Sequence, residues 1–278
     1  MNELDQDTLI RLRTVMLEIL DEFARVCKKN NLTYFLTAGT LIGAVRHKGF
    51  IPWDDDIDIA MPRNDYLKFL EIINNSTDPD YYIYSPVYPN GNSYHFFDRL
   101  KFCKKNTVWA LSYINNPKNY PGICITIFPF DNCFLPLLPF QYLAVKFSKS
   151  IYKYKTHHNV NKTLCIRLII KLFCLVFSIG LLKAILKKSC MLFNNLNTKY
   201  ISFLTGFKGI RKETHRYDTI FPLTELSFEG KKHSVPGSYD TFLKTLYDSN
   251  YMKIPPVEKR RSHSSKFIVF NTLGEDSL

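Results

Sequence analysis

The sequence predicts an α/β (α+β) fold, and three observations lead there. Near the N-terminus Leu9, Leu12, Met16, Ile19, Phe23 and Val26 recur at steps of three and four residues, the period of an amphipathic helix. From Asn31 to Ala60, short β-branched, aromatic and aliphatic runs are separated by a small-residue turn and a helical run. From residue 132 to residue 212 the chain holds 14 Lys or Arg and no Asp or Glu, and this basic segment is also its most apolar.

The first element is a helix from about Asp7 to Lys29, stopped by Asn30-Asn31. Asn31 to Leu36 then reads as a short strand. Ala38-Gly39-Thr40 turns the chain into the apolar run Leu41 to Val45. Gly39 permits close backbone approach, Thr40 offers a hydroxyl, and the open amides of a helix start favour an anion. Arg46, His47 and Lys48 follow as cationic donors for phosphate oxygens.

Asp54 to Ala60 forms the next strand. Side chains of a strand alternate between faces, so Asp54, Asp56 and Asp58 project together while Asp55, Ile57 and Ile59 face the core. Three neighbouring carboxylates repel unless a cation sits among them. Mg²⁺ or Mn²⁺ meets that need, being a hard ion that combines carboxylates with substrate phosphates. A short acidic turn after Pro52 is the alternative, but a solvated turn has no use for Ile57 and Ile59.

Pro62-Arg63-Asn64 starts a helix to about Asn74, and Tyr88 to Ser93 reads as a loop. Tyr94 to Cys103 and Gly122 to Phe128 are strands; Asp98, Arg99 and Lys101 on the former suit a cross-strand salt bridge and a ligand contact equally. Leu226 to Val235 forms a hairpin turning at Glu229-Gly230, and Tyr239 to Tyr247 a helix.

Taken together, these residues resemble the LicD family of phosphorylcholine transferases, to which the fukutin-related sugar-modifying enzymes are akin. The resemblance rests on Gly39-Thr40 before the Asp54 to Asp58 strand and on the closing motifs Phe221-Pro-Leu, Phe228-Glu-Gly230, Val235-Pro-Gly-Ser-Tyr239 and Tyr251 to Pro256, followed by Glu258-Lys259-Arg260 and His263. It implies a nucleotidyltransferase-like mixed sheet with flanking helices and a basic, apolar helical insertion. Residues 1–131 would be the catalytic core, 132–212 the insertion, and 213–278 the part completing the catalytic domain. Asp54, Asp56 and Asp58 would be catalytic and hold the metal; Gly39, Thr40, Arg46, His47 and Lys48 would bind nucleotide phosphate. Asp131 and Glu229 are candidate substrate contacts. The implied donor is CDP-choline or another CDP-alcohol, with CMP as product and a cell-surface glycan or its lipid-linked precursor as acceptor.

One departure stands out. Where the family has Asp-hydrophobic-Phe-Pro-hydrophobic-Asp, this chain reads Thr126-Ile-Phe-Pro-Phe-Asp131. A threonine neither ligates a metal as a carboxylate does nor takes a proton at neutral pH. A non-catalytic relative that binds nucleotide or glycan, and a nucleotidyltransferase releasing pyrophosphate, are therefore the competing readings.

Composition bounds the setting. The seven Cys are scattered without metal-type spacing, and MNELDQDTLIRLR lacks the apolar core of a signal peptide, which points to the cytoplasm. The net charge of +12 resides in segment 132–212. Within it, Leu164 to Leu182 is interrupted by Arg167, Lys171, Ser178 and Gly180, and each base costs about 2.5–3.5 kcal/mol at a bilayer centre. A helical hairpin, Leu138 to Tyr154 and Thr163 to Lys188, lying on anionic lipid at the inner face of the membrane fits better than a span. Nucleic acid is not expected as a partner: no recognition motif is present, and Phe173, Phe177 and Phe193 are spaced for helix packing. His157 and His158 lack companion ligands and read as turn residues.

Overall fold

Helix α1 spans Gln6–Lys29 and buries the stripe read from the sequence. Asp5 caps it, accepting from the Thr8 amide at 2.9 Å and the Thr8 hydroxyl at 2.6 Å, which satisfies a donor that every helix start leaves open. Leu12, Met16, Ile19 and Phe23 are wholly inaccessible. Phe23 meets Tyr34 edge-on at 5.1 Å and Phe69 at 4.9 Å, and Phe69 meets Phe102 at 5.4 Å. A chain of aromatic contacts thus locks helix to sheet.

The computed structural model describes residues 4–76, 78–84, 99–111, 114, 119–157, 172–260 and 265–271. After α1 come β1 (Phe35–Leu36), α2 (Ala38–His47), β2 (Asp58–Pro62), α3 (Arg63–Asn74), β3 (Tyr81–Tyr84), β4 (Leu100–Lys104), β5 (Val108–Leu111) and β6 (Cys124–Cys133). Then follow α4 (Leu138–His157), α5 (Ile179–Met191), β7 (Tyr200–Ser202), β8 (Thr214–Arg216), β9 (Thr224–Phe228), β10 (Lys231–Val235), α6 (Tyr239–Tyr247) and β11 (Ser265–Val269). The main sheet runs β1-β2-β6-β4-β3. Phe35 lies opposite Ala60, Lys101 opposite Thr126 and Tyr84 opposite Lys101, all in antiparallel pairs. This is an α+β fold, a sheet flanked by helices, as the sequence predicts.

Several boundaries move for physical reasons. The strand expected over Asn31 to Leu36 shrinks to two residues because the Leu32 amide donates to the Cys27 carbonyl and the Thr33 amide to Asp65. The strand expected from Asp54 begins at Asp58, and residues 54–57 are irregular. Strand β6 runs on to Cys133, beyond the predicted end at Phe128, because Asp131 to Cys133 find a further partner in β7. The single helix expected over Thr163 to Lys188 is broken: residues 172–176 are helical, and Ser178 caps α5 by accepting from the Leu181 amide at 3.1 Å. The Tyr88 to Ser93 loop, Asp98, His158, residues 164–171 and His263 lie outside the described residues.

Contacts divide the chain into two compact units, Met1–Pro129 with Asp218–Leu278, and Phe130–Tyr217. In the first, α1, the sheet and the β9-β10 hairpin enclose the core; Phe35 packs on Phe242 of α6 at 6.1 Å. In the second, Leu138, Val145 and Ile151 of α4 and Leu182, Leu186 and Cys190 of α5 are buried, and Gln141 donates to the Ser189 carbonyl at 2.8 Å.

His215 on β8 is buried, and burial pushes its imidazole down to about 4. Freed in the unfolded chain it titrates near 6.5, so as pH falls the unfolded chain takes the proton first. The stability held by neutral His215 is complete above about pH 6.5 and is lost on descending to about pH 4, roughly 3 kcal/mol in all. Urea titrations at pH 7 and pH 4.5 should show a smaller acid loss in His215→Phe than in the parent; equal losses would clear His215 of this role.

Candidate active site

The first turn of α2 is joined to the start of β2. The Asp58 amide donates to Thr40 Oγ1 at 2.8 Å, and the Thr37 amide donates to the Asp58 carbonyl at 3.1 Å. The Thr40 hydroxyl, expected to face an anion, accepts from the acidic segment itself. Gly39 is required by crowding: a Cβ there would stand 2.8 Å from Asp54 Oδ2. The close approach expected of this glycine is made to a carboxylate.

Upstream of the acidic residues, the loop 50–54 is gripped from two directions. Arg13 of α1 donates from Nε to the Asp54 carbonyl at 3.1 Å, and from Nη2 to the carbonyls of Ile51, Pro52 and Asp54 at 2.9, 3.0 and 2.7 Å. Its guanidinium carbon also lies 4.9 Å from the Phe50 ring centre. Burial lowers the Arg13 pKa, while the carboxylates of Asp54, Glu229 and Asp55 act to raise it. From the other side Glu229, at the β9-β10 turn, accepts the Phe50 amide at 2.9 Å, and its own amide donates to the Lys48 carbonyl at 2.9 Å. Gly49 leaves room for that carboxylate, since a Cβ there would fall 2.2 Å from Glu229 Oε1.

With the loop fixed, burial alternates as the sequence predicts even though regular strand starts late. Asp55, Ile57 and Ile59 are fully buried, whereas Asp54, Asp56 and Asp58 are half-buried. Asp56 and Asp58 line a cleft of about 180 Å³ together with Arg99, Lys101, Trp109 and Thr126. Thr126 is held there by its amide, which donates to the Ile57 carbonyl at 2.9 Å. The position expected to carry a third acid therefore opens on the same cleft as the two that are present. Lys101 Nζ lies 5.7 Å from the Trp109 ring centre. Asp54 does not line this cleft; its carboxylate turns toward Gly39. Among the described residues no three His, Cys, Asp or Glu side chains converge to hold one ion. The donor set that remains, two carboxylates with room for phosphate oxygens, is what Mg²⁺ uses when substrate completes its shell.

The basic triplet is placed differently from expectation. Arg46 donates to the Tyr251 and Lys253 carbonyls at 3.4 and 3.3 Å. Burial lowers its pKa while Asp54 acts to raise it. His47 is depressed by burial and by Arg46, so it is a neutral imidazole at pH 7 rather than a cation. Lys48 is an exposed, left-handed cap of α2. The cleft's own basic lining is Arg99 and Lys101, the pair for which the sequence left a salt bridge and a ligand contact equally open. Glu229, a candidate substrate contact, accepts the Phe50 amide on Oε1 and does not line this cleft. Asp131 is buried in the second unit and accepts from Asn194 Nδ2 at 2.7 Å. Arg13 had no signal in the sequence, for it sits in an ordinary helical pattern and its acceptors are 38 to 41 residues away.

Comparison with known proteins agrees with the resemblance. Residues 31–134 match the model of the LicD/FKTN/FKRP nucleotidyltransferase domain. Along 268 residues the chain is 28% identical to the lipopolysaccharide cholinephosphotransferase LicD of Haemophilus influenzae, covering 92% of this chain and 96% of that protein. Over 56 residues it is 41% identical to an uncharacterized protein of Rickettsia typhi and 39% identical to one of Rickettsia prowazekii. These shorter matches cover 20% of this chain and 18% and 21% of the two proteins.

The grip on loop 50–54 has a direct readout in amide exchange. Arg13→Ala and Glu229→Ala should each speed exchange of the Phe50 and Asp54 amides by at least about tenfold, the loss expected for a charged hydrogen bond. Amides of α3 should be unmoved. Arg13→Lys should not restore protection, because a single ammonium nitrogen loses the Nε bond to the Asp54 carbonyl and the planar face laid over Phe50; full rescue by lysine would show that charge alone matters.

Proposed function

We propose that this chain, whose residues 31–134 match the model of the LicD/FKTN/FKRP nucleotidyltransferase domain, is a transferase. It moves phosphocholine from CDP-choline, or a similar phospho-alcohol from another CDP-linked donor, to a hydroxyl of a cell-surface glycan or its lipid-linked precursor. The reading is carried by one observation: Asp56 and Asp58 share a cleft with Arg99 and Lys101 inside the family-matched segment. The similarity to a lipopolysaccharide cholinephosphotransferase along nearly the whole chain supports the choice of transferred group. We place the reaction in the cytoplasm, at the inner face of a membrane that holds the acceptor precursor.

Asp56 and Asp58 would hold Mg²⁺ or Mn²⁺, which when bound supplies charge neutralisation for the donor diphosphate. Arg99 and Lys101 bind and orient the phosphate oxygens and balance the charge that develops on them. Asp54, set against Gly39, faces Arg46 electrostatically and steadies the entrance of the acidic segment. The acceptor hydroxyl oxygen forms a bond to the β-phosphorus as the bond from that phosphorus to the bridging oxygen breaks. CMP leaves with the bridging oxygen. The hydroxyl proton passes to water, since Thr126 offers no carboxylate to receive it.

Thr126 opening on the cleft is the observation that favours a second reading, a relative that binds donor without turnover. Product analysis separates the possibilities. Protein incubated with CDP-choline, Mg²⁺ and lipid-linked acceptor should release CMP, and Asp56→Ala or Asp58→Ala should lower the rate at least about 100-fold. Donor binding without release would favour the non-catalytic relative, and pyrophosphate a nucleotidyltransferase. Thr126→Asp should raise metal-dependent turnover by returning a base and ligand to the cleft; an unchanged or lower rate would count against a missing carboxylate.

A further inference from the structure

Thirteen of the eighteen large apolar side chains that are exposed among the described residues belong to the unit Phe130–Tyr217. They are not scattered. Helix α4 turns Leu138, Gln141, Val145 and Ser148 inward and leaves Phe140 71% and Leu143 66% exposed on its opposite row. Phe147, next on that outer row, packs edge-on against Phe173 at 5.0 Å and Phe177 at 5.6 Å. Those contacts fix the 172–176 turn at the end of the row, with Leu175 81% exposed. At the other end Phe134 lies 6.3 Å from Phe193, beside the exposed Leu192.

The charge around this row is of one sign. Segment 132–212 carries 14 Lys or Arg and no acid, and Lys187 and Lys188 are exposed on the last turns of α5. Among the described residues no helix is long and apolar enough to cross a membrane. A row of outward Phe and Leu in a wholly basic surround has the chemistry of a monotopic lipid contact, where apolar side chains enter the acyl boundary and lysines meet anionic headgroups. An RNA partner would use the lysines but leave the aliphatic row without purpose.

We infer that the outer row of α4, Phe140 and Leu143 foremost, is the surface by which this protein lies on anionic lipid. This sharpens the membrane setting given above and does not depend on the catalytic reading, since binding is measured with neither donor nor acceptor. The full chain should sediment with phosphatidylglycerol vesicles at low salt, bind phosphatidylcholine vesicles weakly, and release in high salt. Phe140→Ser with Leu143→Ser should weaken phosphatidylglycerol binding at least about tenfold with the urea midpoint unchanged, and Lys187→Glu with Lys188→Glu should also weaken it. Three results would overturn the inference: unchanged vesicle binding in the serine variant, equal binding to the two lipids, or a parent dimer that the serine variant dissociates while vesicle binding stays the same.

Discussion

Everything at the acidic end of the cleft depends on one arginine facing inward from a helix. Arg13 spends its guanidinium on the carbonyls of Ile51, Pro52 and Asp54 and lies over Phe50. A loop cannot be buried unless its backbone acceptors find partners, and here one side chain provides them from 38 to 41 residues away. The planar, forked donor is what makes that feasible. Because the Asp54 carbonyl is fixed, the peptides that follow have a set direction, and the alternation of Asp55, Ile57 and Ile59 against Asp56 and Asp58 follows without regular strand geometry.

A second constraint acts on the same loop from the β9-β10 turn. Glu229 has φ of +48° and Gly230 of +79°, a backbone turn that aims the carboxylate at the Phe50 amide. Its position beside Gly49, where no Cβ fits, makes turn and loop complementary shapes. The cleft therefore owes its form to groups that never touch its contents. Arg13 and Glu229 are positioning residues, whereas Asp56, Asp58, Arg99 and Lys101 face the space itself.

Local pattern made much of this legible. The α1 stripe, the helix start at Gly39-Thr40, α3, the Glu229 hairpin and the inward and outward sorting of the Asp residues all depend on periodicity or on turn chemistry spanning a few residues. What pattern could not supply was pairing across distance. Arg46, His47 and Lys48 looked like phosphate donors because they follow a phosphate-type turn in sequence. They stand at the opposite end of the ten-residue helix that Gly39 and Thr40 begin, and the cations that reach the cleft arrive on and beside β4, through its register with β6. Asp54 was grouped with Asp56 and Asp58 by alternation, but its carboxylate is seated in the space that Gly39, having no Cβ, leaves open. The Ser178 cap that splits the apolar segment was visible as a residue but not as a stop, since serine caps only where the chain has reason to bend.

The two grips on loop 50–54 come from α1 and from the β9-β10 turn, with the whole of the Phe130–Tyr217 unit emerging between them during synthesis. Until Glu229 clears the ribosome, the acidic segment can hold only one of its two anchors. Completion of the acidic cleft is thus a late, long-range event with a high loop-closure entropy. The basic, apolar unit is synthesised whole before the acidic segment gains its second anchor.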